Sequence, residues 1–482
     1  MRDDNKAGTV FAVDLDGTLI RSDMLLEGFW AAFARDWRTP FLAATALLRG
    51  KAALKERIAA MAPVDPAALP YNDAMLDRLR RARAEGQITV LVTAADRRHA
   101  QAVADHLGLF DAVHASDGQT NLSGAAKAAL LRAKYGGERV IYAGDSVKDL
   151  PVWQDTAGAI TVGAGPALRA RVQAMRPGAE HIGPPGGGSA ARARAALRAM
   201  RPHQWLKNLL VFGPMLAAHD FAGLTFLQTA LAFVAFSMVA SAVYLLNDLL
   251  DLAADRAHPR KRFRPLASGA LPIPRAMAMT PVLLLAGLLT ALLLAPAFLL
   301  VLAGYFALTL TYSLWLKRKA LVDICVLASL YVLRIIAGGM ATGIELSVWF
   351  LAFSLFLFLA LAAVKRQAEL VDMTERGTET TAGRGYHATD LPIVSQIAIA
   401  SSFVTVLVLM LYLTDPGIRM QAYNPLVIGT ACLVLIYWLT RMVMLAHRGQ
   451  MEDDPLVFSL RDPVSLMALV VFGALFLGAT RP

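Results

Sequence analysis

The sequence predicts two folds in one chain: a soluble α/β domain with a parallel sheet and helical cap, then an all-α bundle of nine transmembrane helices. Three observations carry this. Of 482 residues, 56 % are hydrophobic and 17 % charged, which excludes disorder and argues against an ordinary soluble enzyme. The apolar residues concentrate in long runs after about residue 205. Before residue 180, short β-rich runs alternate with helical stretches, the rhythm of a doubly wound sheet.

Strands are expected at 9–13, 88–92, 139–142 and 159–162. The segment between the first two is apolar at helical spacing and lacks β signal, so it reads as a cap over about 24–85 of a first domain covering 1–182. Residues 183–189, Gly-Pro-Pro-Gly-Gly-Gly-Ser, are too rich in turn formers for a regular element and begin a linker over 183–200. Arg192, Arg194, Arg198, Arg201 and Lys207 then recur among alanines and leucines, as in one basic amphipathic helix over 190–207 lying on a membrane surface.

The membrane domain, 201–482, offers candidate spans at 206–220, 224–247, 276–295, 297–316, 321–341, 347–364, 392–413, 424–446 and 464–480. A cytosolic N-terminus puts the loops after spans 2, 4, 6 and 8 on the cytosolic side. Those loops hold sixteen Lys and Arg, Arg384 among them, against Arg419 alone in the opposite loops and Arg481 in the tail. This asymmetry supports nine spans. It also accounts for the formal charge of +10 without nucleic acid. No apolar stretch at the N-terminus suits a signal peptide, so the first domain is expected in the cytosol. Cys325 and Cys432 sit in apolar runs without partners at ligand spacing, so neither a disulfide framework nor a zinc site follows.

The first strand runs into Asp14-Leu15-Asp16-Gly17-Thr18, which puts two carboxylates at the sheet edge where α/β folds bind ligands. Thr93 closes the second β run, Lys127 lies in a helical stretch, and Asp145 and Asp149 follow the strand 140–143. These four motifs, in this order, resemble the haloacid dehalogenase (HAD) superfamily of phosphatases. The resemblance implies Asp14 as nucleophile and Asp16 as general acid and base, with Thr93 and Lys127 screening the phosphate. It also implies Mg²⁺ at Asp14, Asp16, Asp145 and Asp149. A carboxylate can attack phosphorus only where both negative charges are screened.

In the membrane half, Asn247, Asp248, Asp251 and Asp255 close span 2 at spacings of three and four, along one helical face. Ionised acids there need a compensating cation, for which Mg²⁺ bridging to a diphosphate is the natural candidate. Lys261, Arg262 and Arg264 follow in a basic run suited to a phosphorylated substrate. These residues and the entry segment 201–208 resemble the UbiA-type intramembrane prenyltransferase superfamily. Its second acidic motif is sparse here, since 312–323 holds Asp323 as the one acid against three bases.

Lys207, the acid row, the basic run, Tyr312, Lys317, Asp323, Arg334 with Ala337-Gly338-Gly339, and Lys365-Arg366 together look like the decaprenyl-phosphate phosphoribosyltransferase subfamily. That resemblance implies phosphoribosyl diphosphate and polyprenyl phosphate as substrates, with Mg²⁺ on Asn247, Asp248 and Asp251. Asp248 and Asp251 are implied as catalytic. Lys207, Asn247, Asp255, Lys261, Arg262, Arg264, Tyr312, Lys317, Asp323, Arg334, Lys365 and Arg366 are implied to bind substrate. Arg334, inside a span, should pair inward with a phosphate or with Asp323. The phosphatase would then remove the 5-phosphate, giving a bifunctional enzyme of the bacterial inner membrane with both sites on the cytosolic side. The alternatives are a true prenyltransferase with an aromatic or glycerol-phosphate acceptor, and a phosphorylated-lipid transporter with a regulatory phosphatase.

Overall fold

The computed structural model describes residues 8–136, 139–183, 188–377, 385–414, 425–451 and 454–479. Most of the expected linker, 184–187, lies outside the described residues, as do Arg384, Arg419 and Arg481. Two compact units emerge: Met1–Met200 with Tyr244–Pro281, and Arg201–Val243 with Val282–Pro482. The division departs from the linear one, because the acid row and the basic run fall in the first unit.

The first unit is built on a six-stranded parallel sheet. Its strands are β1 (Val10–Val13), β2 (Ile88–Asp96), β3 (Ala112–Ser116), β4 (Val140–Gly144), β5 (Gly158–Val162) and β6 (Glu180–Ile182). They lie in the order β3-β2-β1-β4-β5-β6. The chain therefore reverses direction across the sheet at β1, and such a switch point opens a crevice at the strand's C-terminal end. Val13 is in register with Leu91 on one side and Ala143 on the other. That brings the ends of β1, β2 and β4 together. Strands β3 and β6 were not expected: Ala112-Val113-His114-Ala115-Ser116 has one β-branched residue, and β6 has three residues in all.

Helices α1 (Met24–Phe33), α2 (Thr39–Leu47) and α3 (Lys51–Met61) follow β1 as the inserted cap. Helices α4 (Asp73–Ala84), α5 (Arg97–Leu107), α6 (Ala125–Tyr135), α7 (Leu150–Asp155) and α8 (Pro166–Met175) cover the sheet. Alternation along β1 sends Phe11 and Val13 to one core with Met75, Leu79 and Val103. Val10 and Ala12 go to the other with Leu131, Val152 and Trp153. Helix α5 shows how sequence sets an element. Asp96 accepts from Arg98 N at its start, and Gly108, at φ 62°, turns the chain left-handed at its end.

Helix α9 (Ser189–Ala199) is shorter than the single basic helix expected. Pro202 disfavours helical geometry at Arg201, which adopts φ 54°, and the chain continues as a 3-10 segment, Pro202–Phe212. Next come α10 (Gly213–Ala217), α11 (Gly223–Leu250), α12 (Leu252–Ala257), α13 (Ile273–Ala291), α14 (Pro296–Leu314) and α15 (Val322–Thr342). Then follow α16 (Val348–Glu375), α17 (Leu391–Thr414) and the helices Pro425–His447, Pro455–Ser459 and Pro463–Ala479.

Among the described residues seven helices are long and apolar enough to cross a membrane. The expected first span is instead the 3-10 segment followed by the five-residue α10, and the last is a helix of 17 residues. The first falls short of the about 20 residues a straight crossing needs, and the last, of the length expected for it, is at the lower end of the crossing range.

The second unit packs α15, α16 and α17 with the helix Pro425–His447 around Phe358, Leu361, Trp438 and Met442. A Cβ on Gly338 would lie 2.1 Å from Val211 O, so the 3-10 segment can approach α15 only over a glycine. Gly338→Ala should cost about 1–3 kcal/mol, because a backbone carbonyl cannot step aside as a side chain can. Gly304, with no atom within 4 Å of its added Cβ, is the control. A lower unfolding temperature in detergent for Gly338→Ala and an unchanged one for Gly304→Ala is the expected pair of results.

Candidate active sites

Asp14 leaves the end of β1 tethered by its own backbone, its N–H donating to Ala143 O at 3.0 Å. The turn that follows requires Gly17, at φ 71°, because a Cβ there would lie 2.2 Å from Asp145 Oδ2. Asp16 reaches the other way, accepting from Met24 N at 2.8 Å at the start of α1. Lys127, fully buried on α6, brings Nζ to 2.7 Å from Asp14 Oδ2 and 3.7 Å from Asp149 Oδ1. It also donates to Tyr142 Oη at 2.8 Å, and Tyr142 in turn donates to Asp149 Oδ1 at 2.8 Å. Ser146 N donates to the second Asp149 oxygen at 3.1 Å.

Asp14, Asp145 and Asp149 each offer an oxygen within 4.8 Å of the others. Burial, and then the neighbouring Asp14 and Asp149, push the Asp145 carboxyl up to about 7. Burial raises Asp14 too, against the pull of Lys127, and raises Asp16 further with help from Asp23 and Asp14. Three carboxylates facing one ammonium leave a deficit of positive charge, and the donors are hard oxygens. The set fits Mg²⁺.

Thr93 is buried in β2, where its hydroxyl accepts from Ala95 N at 3.0 Å; Ala94, Ala95 and Asp96 form the cavity wall there. Lys55, which sequence reasoning missed, extends from α3 to Ala94 O at 2.6 Å and Asn121 Oδ1 at 2.7 Å. Nothing in its helix, where bases and alanines follow no one-sided pattern, marks it. The cavity around these groups measures about 1030 Å³.

The acid row survives a break in the helix. Helix α11 ends at Leu250 and Asp251 starts α12, yet Asp251 N still donates to Asn247 O, and Asp255 N to Asp251 O, each at 2.8 Å. Asp248 and Asp255 are buried, and Arg264 spans them, with Nη1 3.2 Å from Asp248 Oδ1 and 2.5 Å from Asp255 Oδ2. Burial raises the Asp255 carboxyl against this pull. Asn247 Oδ1 is buried without a hydrogen-bond partner. An orphaned buried amide oxygen is a hard donor of the kind a hard cation takes. Lys261 and Arg262 are exposed, Arg262 lying 4.9 Å over the Phe263 ring.

Arg256, which reads in the sequence as one loop base among several, is buried and donates through both terminal nitrogens to Glu27 at 2.7 Å. Its Nε donates to Ala267 O at 2.9 Å. This fork ties cap helix α1 to α12.

In the second unit Lys207 and Lys365 share one oxygen of Asp454, at 2.8 and 2.9 Å, and Tyr331 Oη donates to the same carboxylate at 3.2 Å. Burial would raise the Asp454 carboxyl, but the two ammonium groups hold it well below the usual range. Asp454 was not anticipated; its one local signal is an acid before Pro455, where it caps a helix by accepting from Leu456 N.

Of the two partners expected for Arg334, a phosphate or Asp323, the second is not the one it takes. It donates to Asn208 Oδ1 at 2.9 Å, to Tyr305 Oη at 3.1 Å and to Leu330 O. Asp323 is taken by Arg366 at 2.7 Å and by Tyr312 Oη at 2.6 Å, and Arg366 also holds Glu369. Lys317 sits half-buried on the 3-10 turn Leu316–Arg318.

Residues 209–477 match the UbiA prenyltransferase family, and residues 11–154 match haloacid dehalogenase-like hydrolase. An uncharacterized protein of Sinorhizobium fredii is 39 % identical over 94 % of this chain and 87 % of its own. Decaprenyl-phosphate phosphoribosyltransferase of Mycobacterium tuberculosis is 46 % identical over 36 % of this chain and 59 % of its own. A UbiA homolog from Archaeoglobus fulgidus, solved with GPP and Mg²⁺, is 18 % identical with a TM-score of 0.45, covering 58 % of this chain and 99 % of that one.

Replacing Arg256 by Gln strands the Glu27 carboxylate, at a cost of about 3–5 kcal/mol, whereas Glu27→Leu with Arg256→Met should recover most of the loss. Hydrogen-exchange protection of α1 checks this: it should fall in the single variant and return in the double.

Proposed function

Because the chain belongs to the UbiA prenyltransferase family and carries a haloacid dehalogenase-like domain, we propose that it is a bifunctional enzyme. Its membrane half transfers 5-phosphoribose from phosphoribosyl diphosphate to polyprenyl phosphate. Its soluble half then removes the 5-phosphate, leaving polyprenyl-phosphoryl ribose. The enzyme lies in the bacterial inner membrane with both sites on the cytosolic side.

One observation carries the choice of donor. Asp323, the lone acid of the stretch 312–323, is fully buried and engaged by Arg366 and Tyr312. It is held by both a guanidinium and a phenol, whereas the acid row at 247–255 has one guanidinium, Arg264, for two of its acids and keeps Asn247 Oδ1 unpartnered, so that row is our choice for the metal-binding oxygens. The 46 % identity to a phosphoribosyltransferase over part of the chain supports the same reading.

Mg²⁺ would be held by Asp14, the Asp16 carbonyl, Asp145 and Asp149 in the phosphatase, and by Asn247, Asp248 and Asp251 in the transferase. When bound it screens phosphate charge at each site. In the transferase, an oxygen of polyprenyl phosphate attacks C1 of the ribose as the C1–O bond breaks, and pyrophosphate leaves. Lys207, Lys317 and Lys365 attract the phosphates of either substrate, and Arg264 holds Asp248 in place.

In the phosphatase, Asp14 attacks phosphorus while Lys127, 2.7 Å away, keeps its charge from repelling the incoming phosphate. Asp16, whose carboxyl burial pushes upward, gives its proton to the departing 5-oxygen. It then takes a proton from the water that attacks phosphorus, freeing Asp14 and inorganic phosphate. Stabilising the charge of this transfer is most of the task, since uncatalysed monoester hydrolysis requires about 20 kcal/mol or more of barrier lowering.

The test uses the full chain with labelled phosphoribosyl diphosphate and polyprenyl phosphate. Wild type should yield a labelled lipid without phosphate on the sugar, and Asp14→Asn a lipid that keeps it. Identical products would refute the phosphatase step. Consumption of labelled prenyl diphosphate without any phosphoribosyl donor would refute the transferase step and favour a true prenyltransferase.

A further inference from the structure

The phosphatase cavity is larger than a phosphomonoester needs, and it is lined by more cations than Lys127. Carboxylates gather at the ends of β1 and β4 around Lys127, and Lys51, Lys55, Lys148 and Arg192 also line the wall. Lys55 is satisfied by Ala94 O and Asn121. Arg192 is not: its Nε is buried without a hydrogen-bond partner.

A buried guanidinium N–H without an acceptor is costly, and its planar fork matches the oxygens of a phosphate or a carboxylate; in a cavity already rich in carboxylates of its own, the incoming phosphorylated substrate is the acceptor that fits. Arg192 lies on α9, outside the sheet-and-cap fold proper. The wall also includes the segment Gly269–Pro274, which follows the acid row in sequence. That segment is pinned: a Cβ on Gly269 would meet Arg21 Cβ and Arg21 O at 2.8 Å, and Arg256, which holds Glu27, donates to Ala267 O. A fixed wall with an unanswered cation is a built recognition surface.

We infer that Arg192 forms a second anion subsite of the phosphatase, so that its preferred substrate is a phosphomonoester carrying another phosphate across a sugar ring. The inference rests on the phosphatase reading above, and the phosphodiester of a lipid-linked phosphoribose is the second phosphate it names. The inner carboxylates and Lys127 take the monoester to be cleaved, and Arg192 orients the rest.

Phosphate release by the full chain in neutral detergent tests this with two substrate pairs: ribose 5-phosphate against ribose 1,5-bisphosphate, and glucose 6-phosphate against glucose 1,6-bisphosphate. Arg192→Gln should raise KM for the bisphosphates about ten-fold with kcat little changed, the loss expected for one charge-assisted hydrogen bond. It should leave the monophosphates unaffected, and Arg192→Lys should recover part of the loss. Equal losses on mono- and bisphosphates, or none on either, would overturn the inference. So would an effect seen only when anionic lipid is added, since Arg192 would then serve the membrane surface. A wild type that prefers glucose 1,6-bisphosphate but ignores both ribose compounds would sustain the subsite and overturn the ribose assignment. A wild type inactive on every phosphomonoester would overturn both.

Discussion

Buried carboxylates need cations, and in both units of this chain the fold is arranged around supplying them. Asp14 and Asp149 meet Lys127, Asp248 and Asp255 meet Arg264, and Glu27 meets Arg256. In the second unit Asp323 meets Arg366, and Asp454 meets Lys207 and Lys365. Breaking such a pair leaves a charge stranded in low dielectric, which costs more than the pair contributes relative to an apolar replacement. These contacts therefore act as constraints on geometry more than as sources of stability.

The compensation is incomplete at the places where chemistry is expected. At the switch point of the sheet, three carboxylates face one lysine, and Asp145 is driven to about 7 by burial and its neighbours. On the acid row, Asn247 Oδ1 is left without a donor. Asp323 and Glu27 are matched by guanidinium forks and hold helices together. The contrast separates residues that wait for a ligand from residues that complete the protein.

The legible part of the sequence was local. Asp14-Leu15-Asp16-Gly17-Thr18 announced both its carboxylates and the glycine turn, and the spacing of Asn247, Asp248, Asp251 and Asp255 announced a shared face that persists through a break at Asp251. What could not be read was pairing at a distance. Arg256 and Glu27 are 229 positions apart, and Lys207 and Asp454 are 247 apart, so no periodicity links them. Arg334 and Arg366 both sit on apolar helices, and only their packed orientations decide which takes Asp323. Boundaries suffered where a single residue outweighs a pattern: Pro202 disrupts the expected basic helix near Arg201, and a weakly β-branched strand such as β3 hides among helical composition.

The measurement that reaches the central claim most directly is calorimetric titration of Mg²⁺ into the full chain and into Asp145→Asn. The account predicts that the variant loses one equivalent of bound ion, because removing that charge relieves the deficit the site exists to present. Equal uptake by both proteins would mean that the carboxylate cluster at the end of β1 and β4 is balanced already, and the reading of it as a waiting cation site would be wrong.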